Sequence, residues 1–227
     1  VRTLQQLHRE KPFDVLQAMW ADETGLIAAW AGKMLEIPVV VSIAGGELVG
    51  LNDVDYGLQR SAFSRWIVGQ ALRAERIVVA CEYAKRLIGK AGYRVAEERL
   101  HKIALGVDAE LFHPVAASPD KNRIISVGSL IGVKDHASLL RALARLEGVT
   151  LDLIGDGKER SALIELANKL DITERVNFVG AVHHLEMPSY YQRVALHILP
   201  SRHEGSGMVT LEAAACGVPT VSTNVGI

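Results

Sequence analysis

The sequence predicts an α/β protein in which parallel strands are covered by helices on both faces, and three observations carry that prediction. Short apolar, β-branched runs alternate with helix-length amphipathic stretches along all 227 residues. Of these residues 49% are hydrophobic and 20 are glycine, a composition that fills one large core or two smaller ones. One aperiodic segment bounded by prolines, residues 114–120, interrupts the alternation and reads as a linker. The expected units are therefore residues 1–113 and 114–227, each near the commonest domain size.

Strands are expected at 14–19, 39–43, 76–80, 102–105, 123–127, 149–154, 176–179, 196–199 and 220–222, with helices between them. The helix after Val127 is well marked: Asp135 stands where an N-cap is needed, and Leu139, Leu140, Leu143 and Leu146 recur on one face. After the turn Gly155-Asp156-Gly157, the residues Leu163, Leu166, Ala167 and Leu170 repeat that stripe. Both sets are core side chains facing a sheet.

Several function classes are excluded early. A formal net charge of -1 provides no sequence-wide positive field for nucleic acid. No apolar run reaches the roughly 20 residues that cross a bilayer, and no export signal is present, so a cytoplasmic setting is expected. Cys81 and Cys216 are far apart, match no metal spacing and read as small buried thiols of a reducing compartment. The eight histidines form no metal set either, so no metal and no cofactor are expected. The chain opens on Val1 and closes on Ile227 in what reads as mid-loop, as a piece of a longer protein would.

Chemistry concentrates in His203-Glu204-Gly205-Ser206-Gly207-Met208-Val209-Thr210-Leu211-Glu212. A strand runs through Pro200 and Ser201 into a glycine-containing loop and then a helix, so the amides around Gly207, Met208 and Val209 face out of a helix N-terminus, an anion site. If the intervening segment is mostly helical, Glu204 and Glu212 lie roughly 12 Å apart along the axis. That exceeds the separation used by a glycosidase acid/base pair, about 5 to 9.5 Å. Two readings stay open from spacing alone: the carboxylates grip two parts of one long ligand, or Glu204 is a solvated loop charge and Glu212 a first-turn glutamate favoured by the helix dipole.

The same segment, continued by Ala213-Ala214-Ala215-Cys216-Gly217-Val218-Pro219-Thr220-Val221, resembles the retaining GT-B glycosyltransferases of the glycogen-synthase-like family four (glycosyl transferases group 1). Ser126-Val127-Gly128-Ser129-Leu130 with Lys134, Leu153-Ile154-Gly155-Asp156-Gly157, Val176-Asn177-Phe178-Val179-Gly180 and Leu199-Pro200-Ser201 follow in the family's order. The resemblance implies two Rossmann-like domains with parallel sheets facing across a cleft, the N-terminal one incomplete. It implies that Glu204 holds the donor sugar, Glu212 the ribose, and the amides of Gly205 to Val209 the diphosphate. Lys134 would add a point charge at the diphosphate, Gly128, Ser129 and Asp156 would line the donor site, and Val182 would face the base. The implied substrate is a nucleotide-diphosphate sugar, UDP- or GDP-linked, transferred with retention to a glycan, lipid-linked or small-molecule acceptor.

The first half is similar to the acceptor side of the same family through Phe13-Asp14-Val15-Leu16, Arg76-Ile77-Val78-Val79-Ala80 and Gly106-Val107-Asp108. Gly45 and Gly46 fall where relatives bring a His-Gly pair to the donor sugar, but Ala44 stands in place of the histidine. Ser129 replaces an arginine and Ser206 an aromatic residue. These departures keep two alternatives in view: a noncatalytic nucleotide-sugar-binding or scaffold protein, and another GT-B chemistry such as a nucleotide-sugar epimerase. Between Arg60 and Lys102 ten basic residues outnumber Glu75, Glu82, Glu97 and Glu98, which allows peripheral contact with anionic lipid at the inner membrane face or a solvated surface.

Overall fold

The computed structural model describes residues 1–116 and 118–226. They form two compact units: Val1–Leu105 together with Glu204–Ser206 and Gly226, and Gly106–His203 together with Gly207–Val225.

The first unit runs α1 (Arg2–Glu10), β1 (Leu16–Met19), α2 (Glu23–Leu35), β2 (Val39–Ile43), α3 (Ala62–Ala71), β3 (Arg76–Val79), α4 (Glu82–Lys90) and β4 (Leu100–Lys102). Its four strands are parallel in the order β1-β2-β3-β4. Asp22 caps α2 by accepting from the Thr24 amide at 2.8 Å, and Ser61 caps α3 by accepting from Ser64 at 3.0 Å. Val41, Ile77, Val79, Val68 and Ala71 fill the core beneath these helices.

The second unit runs β5 (Asp120–Val127), α5 (His136–Leu143), β6 (Thr150–Ile154), α6 (Arg160–Lys169), β7 (Val176–Gly180), α7 (Met187–Tyr191), β8 (Val194–Leu199), α8 (Met208–Ala215) and β9 (Thr220–Ser222). All five strands are parallel in the order β7-β6-β5-β8-β9. The two-residue period of a strand is visible in β5. Ile124 joins Leu140, Leu143, Leu153 and Leu163 on one side, while Ile125 joins Phe112, Tyr191 and Ala213 on the other. Chain order reverses direction across β5 and β8, and in such sheets the crevice beyond the strands' carboxyl ends at the reversal is where ligands bind.

Several expectations differ from what is found. The fourth strand is Leu100–Lys102 rather than 102–105, and Ile103 and Leu105 are exposed. Leu146 is 49% exposed because α5 stops at Leu143, which breaks the expected stripe one turn early. The break between units falls at Leu105 and Gly106 rather than at 113 and 114, since Phe112 is buried in the second unit's core. Of the expected linker, Ala117 lies outside the described residues. Cys216 is buried but Cys81 only half-buried, and both are free thiols. Among the described residues no helix is long and apolar enough to cross a membrane.

Candidate functional site

The loops that leave β5, β6 and β7 are tied to one another through the backbone. The Gly128 amide donates to the Ile154 carbonyl at 2.9 Å, Leu130 to Asp156 at 2.9 Å, and Gly155 to Gly180 at 2.8 Å. Gly155 has φ +132, and a Cβ added there would sit 2.0 Å from the Gly128 carbonyl oxygen, so only glycine admits this approach. Ser129 and Asp156 stand exposed on the tied loops, and Val182 is half-buried two residues after Gly180.

Lys134 ends a 3-10 turn, Gly132–Lys134, and its methylenes lie about 3.5 to 3.7 Å from the position a Cβ would take on Gly128. Its stem therefore runs over the first glycine of the β5 loop. The Arg202 amide, beyond β8, donates to the Val133 carbonyl at 2.8 Å. Segments from the two sides of the reversal between β5 and β8 are thus joined next to Lys134.

From β8 the chain passes through fully buried Ser201 and buried His203 into Glu204. Gly207 takes φ 56 and ψ 46, the left-handed conformation, to turn the chain into α8, whose N-terminus no side chain caps. Amides of the first turn of α8 therefore present partial positive charge. The helix begins only at Met208, so Gly205 to Gly207 lie outside it and a spacing of roughly 12 Å, which takes the whole segment as helix, does not follow. Glu212 is likewise not a first-turn residue, since the first turn of α8 holds no acidic side chain. Both carboxylates are buried, each 8% exposed, so Glu204 is not a solvated loop charge.

Glu212 has partners that the sequence did not point to. Its Oε2 accepts from the Tyr191 hydroxyl at 2.9 Å, and its Oε1 lies 3.9 Å from His184 Nδ1. Burial first, and then the Glu212 charge, push the Tyr191 hydroxyl far up from its ordinary value, so it remains a donor. A tyrosine 21 residues upstream carries no spacing signal, and His184 reads as an ordinary loop histidine.

In the first unit, Gly45 and Gly46 lie in the loop after β2, held from beneath by Glu47. This buried carboxylate accepts from the amides of Gly45 at 2.7 Å, Ala44 at 3.1 Å and Ala21 at 3.4 Å. A cavity of about 490 Å³ opens beside the loop, lined by Trp20, Asp22, Gly45, Gly46, Tyr56 and Arg60. Burial, then the charges of Glu204 and Glu47, push the Tyr56 hydroxyl up. The Gly205 carbonyl accepts from the Cys81 thiol at 3.5 Å, and Ser206 is half-buried beside it.

The basic stretch is partly occupied: Arg60 pairs with Asp55, Lys85 with Glu97 and Lys102 with Glu82, and Arg99 donates to the Leu72 and Ala74 carbonyls. Among the described residues no group of three or more His, Cys, Asp or Glu side chains is placed to hold a metal ion.

Two parallel α/β units, the second with glycine-tied loops and an uncapped helix at its strand reversal, define the class as doubly wound proteins that bind ligands beyond the strand ends. Residues 108–227 match the family Glycosyl transferases group 1, and residues 1–106 match a Glycosyl transferase 4-like domain. The chain belongs to the group 1 glycosyl transferase family. It is 32% identical to D-inositol 3-phosphate glycosyltransferase 1 of Catenulispora acidiphila over 94% of this chain and 56% of that protein. The chain thus spans about half the length of the curated relatives it matches. In three dimensions it is similar to sucrose-phosphate synthase from Thermosynechococcus elongatus (TM-score 0.84, 20% identity, 99% of this chain and 59% of that one). It is also similar to Anabaena HepE in complex with UDP-glucose (TM-score 0.81, 21% identity, 99% and 63%). These likenesses show a GT-B fold.

Proposed function

We propose that this chain carries the donor-binding machinery of a retaining glycosyltransferase that moves a sugar from a nucleotide diphosphate to a hydroxylic acceptor. The observation that carries the reading is the convergence of Lys134, the tied glycine loops and the uncapped N-terminus of α8 at the strand reversal. A diphosphate seated there meets backbone amides and one ammonium, both of which bind more strongly as the leaving nucleotide gains charge. Glu204 then holds donor-sugar hydroxyls and Glu212 the ribose, each as an acceptor-only group. Asp156 and Ser129 border the diphosphate, and Val182 meets the base. Retention follows when the acceptor attacks from the face the nucleotide leaves, with Glu204 positioning the sugar.

The acceptor side is assigned to the Gly45-Gly46 loop, whose neighbouring cavity is lined by Trp20, Tyr56 and acidic side chains suited to a polyhydroxylated ligand. A cytoplasmic setting, a metal-independent reaction and a glycan or lipid-linked acceptor belong to the same reading. Ala44 and Ser129 favour a second reading, a protein that binds the nucleotide sugar without transferring it. A thermal-shift screen of UDP-, GDP- and ADP-sugars tests the first step, starting with UDP-glucose because HepE was crystallised with it. One of these donors raises the melting temperature of the native chain, and Glu212→Ala abolishes that rise. A rise that survives the substitution contradicts the ribose role. Binding without release of nucleotide, across broad acceptors, favours the second reading.

A further inference from the structure

We propose that Tyr191 is a positioning residue for Glu212, its hydroxyl fixing the plane in which the carboxylate meets the two ribose hydroxyls of the nucleotide. The inference rests on the ribose reading of Glu212.

A glutamate's terminal torsion is broad, with no staggered well to hold it, so a lone carboxylate turns freely about its last bond. A ribose diol needs two acceptors in one plane, and each hydrogen bond made to a turning group costs ordering entropy at the moment of binding. Tyr191 removes that freedom beforehand. Its hydroxyl donates to Oε2 at 2.9 Å and occupies one of the roughly four lone-pair sites a carboxylate offers, leaving the rest for ligand.

The tyrosine itself cannot move. It is fully buried at the end of α7, with the Phe112 ring at 6.2 Å and 60° on one flank and the His197 ring edge-on at 6.0 Å and 85° on another. His184, tilted at 58° against the Phe112 ring at 5.1 Å, stands 3.9 Å from the other oxygen, so both carboxylate oxygens are addressed from one aromatic cluster. A tyrosine needed only for packing would satisfy its hydroxyl equally well on a backbone carbonyl. This one is aimed at an acidic side chain on a different helix, α8.

Calorimetric titration with whichever of UDP, GDP and ADP the native chain binds, and with inorganic pyrophosphate as a probe without ribose, tests the proposal. Tyr191→Phe keeps the ring and weakens the nucleoside diphosphate about 10-fold, the weight of one hydrogen bond to a charged acceptor, while pyrophosphate affinity is unchanged. In a Glu212→Ala background the same substitution adds no further loss. The proposal is overturned if Tyr191→Phe leaves nucleotide affinity within about twofold, if it weakens pyrophosphate equally, or if its loss persists undiminished without Glu212. If Glu212→Ala alone leaves nucleotide affinity untouched, the ribose reading itself has failed, and the proposal with it. These results are distinguishable because the single and double variants are read on the same two probes.

Discussion

Gly207 sits at φ 56 and ψ 46 as the residue that turns the β8 loop into α8. An alanine there meets the left-handed penalty, roughly 1 to 2 kcal/mol, partly offset by a less flexible unfolded chain. Gly207→Ala is expected to lower the melting temperature by about 2 to 4 °C and to weaken diphosphate binding, because the first amides of α8 shift with the turn. Ser206→Ala, half-buried one residue earlier, serves as the comparison and leaves both nearly unchanged. The glycine at this position was legible in the sequence as part of a loop before a helix. Its left-handed conformation was not, since the letters fix no dihedral. Tyr191 was less legible still. Its link to Glu212 depends on α7 and α8 being brought together around β8, a tertiary fact with no local period.

Among the elements, β5, β6 and β7, with Arg193 just before β8, share one charged knot at Asp152. This carboxylate is 3% exposed and accepts from Asn177 at 3.0 Å and Arg193 at 3.2 Å, with Arg123 at 3.6 Å. Removing it takes the buried counter-charge from both guanidinium groups and leaves Arg123 only Asp120, at 3.7 Å. Because both arginines are more than a third exposed, the penalty falls below the full 3 to 5 kcal/mol of a broken buried pair, to about 2 kcal/mol. Asp152→Ala is therefore expected to move the urea midpoint clearly downward. Glu165→Ala, which removes the fully solvated pair with Lys169, leaves the midpoint within error. Most strands of this sheet were readable because buried parallel strands are short continuous apolar runs. Their ends were not: β5 begins at the polar stretch Asp120-Lys121-Asn122, and only its pairing to β8 makes that stretch a strand. Likewise β4 ended where β3 stopped offering partners, at Val79 opposite Lys102, before the apolar letters ran out.

For the molecule as a whole, pH enters through His197. Its ring is fully buried, with Nδ1 3.1 Å from the Thr220 hydroxyl, and desolvation lowers its pKa to about 4. The unfolded chain holds that proton up to a pKa of about 6.5. The unfolded state therefore binds more protons between about pH 4 and 6.5. Stability is fully present above that window and falls as pH drops through it, by about 3 kcal/mol at the acid end. His197→Gln keeps a hydrogen-bonding group that does not titrate. The difference in denaturation midpoint between pH 7 and pH 4.5 is expected to shrink in that variant, and an unchanged difference would assign the acid limb to other groups.

The three glycine-tied loops have a consequence for how this site changes over time. Gly128, Gly155 and Gly180 are joined main chain to main chain, so the geometry of the strand ends is written in amides and carbonyls. The Ser129 side chain beside them is exposed and bears none of that frame, whereas the Asp156 carboxylate accepts from the Gly157 amide at 2.7 Å and belongs to it. The letter at 129 is exchangeable while the frame persists. A single codon change, Ser129→Arg, should then be tolerated with a stability change within about 0.5 kcal/mol. On the proposed donor reading it would add a second cation beside Lys134 and tighten diphosphate binding, read by titration. A site of this build diversifies its ligands by editing positions its own architecture does not depend on.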